Sequence, residues 1–262
     1  MSLRLDDGGL ECRQLKIDTA PSAATDPLAA IREIGNGLDI LPHTHKATIL
    51  ESTWVKDQNM RIWSTTARPH SKYLPYSSPA KMVDFCLYLD DLSNTNALQA
   101  LGRQTPTLTV NHTNFAPLQL SPIALSIETK RPGKELDAAQ LQMGVWHAAQ
   151  WKFLRSIVGL TGQPMSAAEE VSRRRLADEA LAELGFIPGV IVQGHRWLFV
   201  CSTLEDRKTV LWTERQFGTT QSILDSYQIV AGLRELAGWI RDVYLPWFQS
   251  KVLSGLSDEN ET

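Results

Sequence analysis

The chain has 262 residues, 43% of them hydrophobic and 21% charged, with a formal net charge of −3 and a pI of about 6.1. This is the composition of a globular protein with a sizeable apolar core. It argues against a surface that grips DNA backbone everywhere, because neutralising phosphates takes a basic surface, but it leaves room for a local basic groove.

The three cysteines, Cys12, Cys86 and Cys201, are far apart and form no CxxC pair, so neither a zinc cluster nor a disulfide framework is indicated. Cys86 and Cys201 lie in apolar runs and read as buried thiols. No apolar run reaches the ~18–20 residues of a membrane span. Met1 to Lys16 lacks the continuous apolar stretch of a secretory signal. The sequence therefore predicts an intracellular protein of the cytoplasm or nucleus, with no membrane partner.

In chain order, residues 1–25 are polar and irregular and predict a flexible N-terminal arm. Asp26-Pro27 predicts a helix start, an N-cap followed by Pro in the first turn, and Gly35-Asn36-Gly37 ends that helix. A second helix is expected from about Thr44, carrying Ile49, Leu50, Trp54 and Val55. Residues 64–80, rich in Pro and Ser, predict a loop. Lys81 to Leu89 predicts a strand buried on both faces. Residues 90–105 are polar and give no clear element, Thr107 to Val110 suggests a short strand, and Asn111 to Asn114 a turn. Pro122 to Lys130 (PIALSIETK) is the clearest buried strand. Ala138 to Val158 has the periodicity of a helix with an apolar face. Ser166 and Glu169 form a capping box that opens an amphipathic helix ending before Gly185. Strand-like runs follow at 187–193, 196–202 and 208–212, with Gly194-His195 as a turn. Ile223 to about Leu253 is a long helical pattern interrupted by Pro246, and residues 254–262 predict a disordered acidic tail. Residues 26–253 are expected to form a single domain: a mixed sheet flanked by helices rather than a run of regular βαβ units.

Metal-dependent phosphodiester cleavage needs hard cations on oxygen ligands, which polarise the phosphoryl group and acidify a bound water. Two carboxylates on adjacent strands meet that need. A lysine two residues beyond the second carboxylate shares its strand face, because side chains alternate with period two. Glu128 and Lys130 have this spacing, and Asp84 on the preceding strand is the natural first carboxylate. Thr129 points to the opposite layer, leaving its backbone carbonyl as a further ligand.

Asp84…Glu128-Thr129-Lys130 resembles the Asp…Glu-x-Lys core of the PD-(D/E)XK nuclease-like superfamily. The runs SIETKRPG, AQLQMGVWHAAQW, VIVQGHRWLFV and SYQIVAGLRELAGWI…YLPWF resemble more closely a family of fungal proteins carrying that domain, over roughly residues 40–253. The short Glu-x-Lys is weak alone; the long helical phrase after it is far more specific. The resemblance implies an α/β three-layer restriction-endonuclease-like core with a mixed central sheet. It also implies Mg²⁺ or Mn²⁺ as cofactor and DNA as the default substrate. Two departures stand out. Val83 replaces the Pro of the superfamily's name, and an insertion of about residues 90–120, holding His112, separates the two acidic strands and could form a lip over the site.

On this resemblance Asp84 and Glu128 would bind metal together with the Thr129 carbonyl. Lys130 would orient the attacking water or stabilise charge in the transition state. Glu51, on the expected second helix, would add an acid to the metal site, and Gln142 would approach the metal or the scissile phosphate. Each has a plainer alternative: a strand-end ion pair for Glu128 and Lys130, a buried turn or cap for Asp84, an exposed helical carboxylate for Glu51, an interhelical hydrogen bond for Gln142. His147 and His195 are read as structural, most tryptophans as core, and Arg173 to Arg175 as a solvated helix face.

Three functions fit the sequence. The first is a metal-dependent phosphodiester hydrolase acting on DNA. The second is a small-molecule enzyme of specialised metabolism that uses Glu128 and Lys130 for acid–base work without metal. The third is a catalytically silent binding protein, a homodimer through its Trp-rich C-terminal helix.

Overall fold

The computed structural model describes residues 2–3, 9–15, 20–36, 60–75, 82–90, 94–133, 135–160 and 166–256. The expected second helix, including Glu51, and the tail from Ser257 lie outside the described residues.

Among the described residues eight strands form one mixed sheet. They are β1 (Ser2–Leu3), β2 (Leu10–Gln14), β3 (Met60–Ser64), β4 (Phe85–Leu89), β5 (Ile123–Lys130), β6 (Ile187–Gln193), β7 (Arg196–Glu205) and β8 (Lys208–Thr219), in the order β1-β2-β8-β7-β6-β5-β4-β3. β5 and β6 run parallel, as do β2 and β8; the other neighbours are antiparallel. The first six residues of β5 are all buried, which explains its continuous apolar run.

The flanking helices are α1 (Thr25–Gly35), α2 (Thr95–Gln104), α3 (Leu136–Ile157), α4 (Ala167–Leu184), α5 (Ile223–Trp239) and the short α6 (Leu245–Phe248). Helix α3 packs over β2, β5, β6, β7 and β8, while α1 and α5 pair with each other and against β8. This is the α/β, restriction-endonuclease-like arrangement expected from the sequence. No described helix is long and apolar enough to cross a membrane.

The capping box of α4 forms as expected: Ser166 Oγ accepts from the Glu169 amide at 3.3 Å, and Glu169 accepts from the Ser166 amide at 2.7 Å. Helix α1 begins at Thr25, one residue before the expected Asp26 cap, because a 3₁₀ turn at Ser22–Ala24 leads into it. Pro246 does not break the C-terminal helix. Two π-helical segments, Ile240–Tyr244 and Gln249–Leu253, flank α6 and carry the chain on. The wider turn ahead of the proline accommodates a residue that cannot donate to the helix ladder. Ser254–Leu256, which the sequence placed in the acidic tail, is a 3₁₀ turn with Leu256 buried.

Two further expectations fail. Residues 10–14, placed by the sequence in an irregular arm, form β2, parallel to β8 from Leu10↔Thr209 to Gln14↔Thr213. Leu10 is buried against α3, and Cys12 packs beside the same cluster. The alternate Glu11 and Arg13 pair with each other and with Lys208 and Glu205 of the β7–β8 hairpin.

Residues 107–110 are not a strand. Thr105, Thr107 and Thr109 each donate a side-chain hydroxyl to the carbonyl four residues on, at 2.7, 3.0 and 2.6 Å. The hydroxyls take the place of a neighbouring strand, and the β-like alternation codes for a self-bonded loop. Asn111 anchors the loop, donating to the Leu118 and Ser121 carbonyls and accepting from the Ile123 amide. The inserted segment is thus tied to the start of β5, and α2 packs against the C-terminal helical turns.

Candidate active site

Helix α3 is registered against β5 through one stripe of residues four apart. Gln150 Nε2 donates to the Ile123 carbonyl at 3.1 Å, and Trp146 Nε1 donates to Ser126 Oγ at 2.7 Å. One turn earlier on the same stripe, Gln142 Oε1 accepts from Lys130 Nζ at 3.4 Å. Gln142 also donates through Nε2 to the Met82 carbonyl. Gln142 therefore bridges the end of β5 and the chain entering β4. The four-residue spacing of 142, 146 and 150 places Gln142 on the face of α3 that meets β5.

Glu128 is fully buried, and Lys130 Nζ forms an ion pair with Glu128 Oε1; the lysine side chain is 19% exposed. The strand period that put both residues on one face in the sequence is realised in this contact. A carboxylate withdrawn from water in this way is costly unless a positive group stands beside it. Lys130 is the member of the pair that reaches solvent.

Asp84 sits just before β4 rather than within it. The Asp84 amide donates to the Ile127 carbonyl at 3.1 Å, and its own carbonyl accepts from the Thr65 amide at 2.8 Å. Asp84 Oδ2 accepts two hydrogen bonds from Thr129, from the amide and from Oγ1, both at 2.7 Å. Besides the carbonyl offered as a candidate ligand, Thr129 brings its amide and hydroxyl, which hold the carboxylate of Asp84. Asp84, Glu128, Thr129, Lys130 and Gln142 thus form one connected group. Glu51 lies outside the described residues.

The donors in this group are carboxylate, amide and carbonyl oxygens, which suit a hard divalent cation rather than a thiophilic one. Among the described residues no cluster of three or more His, Cys, Asp or Glu side chains is placed to hold a metal ion. Among the described residues, the oxygens that could join Asp84 and Glu128 around one are neutral, those of Gln142 and the Thr129 backbone.

The histidines lie elsewhere. His112 and His147 are fully buried, and His112 meets the Trp146 ring edge-on with centroids 4.4 Å apart. His112 Nε2 and both His147 ring nitrogens have no hydrogen-bond partner. Burial pushes both imidazoles down to about 3, and for His112 the neighbouring His147 adds to the effect. Both are neutral, consistent with packing. His195 occupies the β6–β7 turn, where its carbonyl accepts from the Thr220 amide. Arg173 is held by Glu170 and by the Ser156 and Val158 carbonyls at the end of α3, and Arg174 is likewise paired with Glu170.

A search of curated proteins and one of solved structures each find no match. The sequence profile of the PD-(D/E)XK nuclease superfamily matches residues 43–245, a span that contains Asp84, Glu128, Lys130 and Gln142. With most of its length matched, and with a mixed sheet that brings the Glu-x-Lys strand beside Asp84 and the Gln-bearing helix, the chain belongs to the PD-(D/E)XK nuclease superfamily.

Proposed function

We propose that the chain is a metal-dependent phosphodiester hydrolase acting on DNA. The observation that carries this reading is the buried Glu128–Lys130 ion pair, joined on one side to Gln142 and flanked by Asp84 fixed on Thr129. In this reading Asp84, Glu128 and the Thr129 carbonyl hold Mg²⁺ or Mn²⁺, with Glu51 as a further candidate ligand. Bound there, the cation supplies charge neutralisation at the phosphoryl group and an acidified water.

The protein's own residues do the positioning. Thr129 fixes the Asp84 carboxylate through two donors, so its second oxygen keeps one orientation. Glu128 concentrates negative charge in a water-poor setting, where electrostatic interactions are strong. Lys130, at the solvent side of the pair, is placed to orient a water or to stabilise charge on a pentavalent phosphorus. Gln142 limits the swing of the Lys130 ammonium by accepting from it.

The test is nicking of supercoiled DNA by purified protein with Mg²⁺ or Mn²⁺. Glu128→Gln and Lys130→Met keep approximate side-chain volume, and each is expected to lower the rate by at least about two orders of magnitude, the scale of removing one transition-state donor. Circular dichroism confirms that the variants fold. Equal nicking by wild type and both folded variants overturns the proposal.

A further inference from the structure

A cavity lies toward the other end of β7 from the Glu128–Lys130 centre. Lys130 pairs in register with Gln193, and Gln193 with Arg196 at the start of β7. Leu204 pairs with Thr209 of β8 at the far end of β7. Eight residues of β7 separate the two ends, roughly 27 Å at the rise of a strand.

At that far end is a cavity of about 470 Å³ between the C-terminal half of α3, the 71–75 segment and the β7–β8 turn. Its volume falls in the range of small-molecule sites. Tyr73, Trp151 and Leu204 supply apolar walls, while Lys152, Arg155 and Arg207 bring three cations to the rim. No acidic side chain is among its described lining residues.

The walls are fixed. Trp151 Nε1 donates to Ser202 Oγ at 2.9 Å, and Tyr73 packs edge-on against Phe153. Arg155 is oriented by Asp178, to which it donates at 2.5 and 2.8 Å. Asp178, which pairs with Arg155, lies outside the lining. Partial burial lowers the affinity of Lys152 for its proton, and the ammonium of Lys72 adds to that effect. Lys152 and Lys72 repel one another, and an anion entering beside Lys152 would relieve that repulsion.

We propose that this cavity binds a small phosphate monoester, with the phosphate against Lys152, Arg155 and Arg207 and the organic body against Tyr73, Trp151 and Leu204. Guanidinium groups match the phosphate oxygens with paired donors, and the ammonium adds point charge. The site is separate from the Glu128–Lys130 centre and does not depend on its activity.

The experiment is calorimetric titration of the full chain with adenosine 5′-monophosphate, inorganic phosphate, adenosine and a short DNA duplex. The monophosphate is expected to bind with a Kd below about 1 mM, inorganic phosphate more weakly, and adenosine not measurably. Lys152→Ala and Arg207→Ala, both at exposed positions, are expected to weaken the monophosphate by at least about tenfold, the scale of one lost charged contact. Lys130→Met is expected to leave its binding unchanged. Four results would overturn the proposal: no binding of either phosphate probe, adenosine as tight as its monophosphate, binding that survives Lys152→Ala and Arg207→Ala, or binding of the duplex alone.

Discussion

Moving the protein from about pH 7.5 to about pH 5 should cost it stability through the buried pair His112 and His147. Both imidazoles are held neutral, with proton affinities pushed down to about 3 by burial. In the unfolded chain each returns to the ordinary value of about 6.5. Between these limits the unfolded state binds protons that the native state refuses, so stability rises with pH and falls on acidification. At about pH 5 each histidine withdraws about 1.5 × 1.36, or about 2 kcal/mol, giving about 4 kcal/mol for the pair. Domains typically have only about 5–15 kcal/mol in total, so the effect would be large. The lowered carboxylates Glu11, Glu169, Glu170, Asp178 and Asp242 lose their contribution at lower pH, as they protonate below the ordinary carboxylate range. The window from about 5 to 6.5 therefore lies above the titration of these carboxylates, and the histidine variants below assign the slope within it. The assay is urea unfolding followed by tryptophan fluorescence at a series of pH values. His147→Leu should remove about half of the slope in that window, and His112→Leu a similar share. Equal stability at both pH values, or an unchanged slope in His147→Leu, would refute the argument.

Three further outcomes follow from contacts described above, each read by chemical denaturation unless stated. Ser202→Ala leaves the buried Trp151 indole without its acceptor and should cost about 1–3 kcal/mol. Gly189→Ala places a Cβ 3.0 Å from His147 Cε1 and 3.1 Å from both His147 Nε2 and Met143 Sδ, so overpacking should cost about 1–3 kcal/mol. Thr129→Val removes one of the two donors on Asp84 while keeping the strand; nicking should fall by about tenfold or more with little change in stability.

Much of the centre was legible because it obeys local periodicities. Glu128 and Lys130 share a face because a strand alternates, and Gln142 shares one with Trp146 and Gln150 because a helix returns every four residues. The buried run of β5 and the Ser166 cap are equally local signals. The misreadings arise where distant chain supplies the missing half. β2 has one apolar side and two charged residues on the other, which looks like a loop until β8 is set beside it. The Thr107–Val110 alternation looks like a strand, but the partners of its hydroxyls are carbonyls of the same loop. That Thr129 holds Asp84 through its amide and hydroxyl could not be read from either segment alone, since Asp84 lies outside the regular pairing of β4.

The pairing of β2 with β8 has a consequence for how the chain is made. Leu10 to Gln14 leave the ribosome nearly two hundred residues before their partners Thr209 to Thr213. Until then the apolar side of β2 has no sheet to join, and β8 must emerge before that border of the sheet can be completed. Contacts this distant slow folding and prolong the exposure of an unpaired strand. A nascent chain stalled before residue 209 would present β2 to other molecules, and a chaperone that covers short apolar strands would find its substrate there.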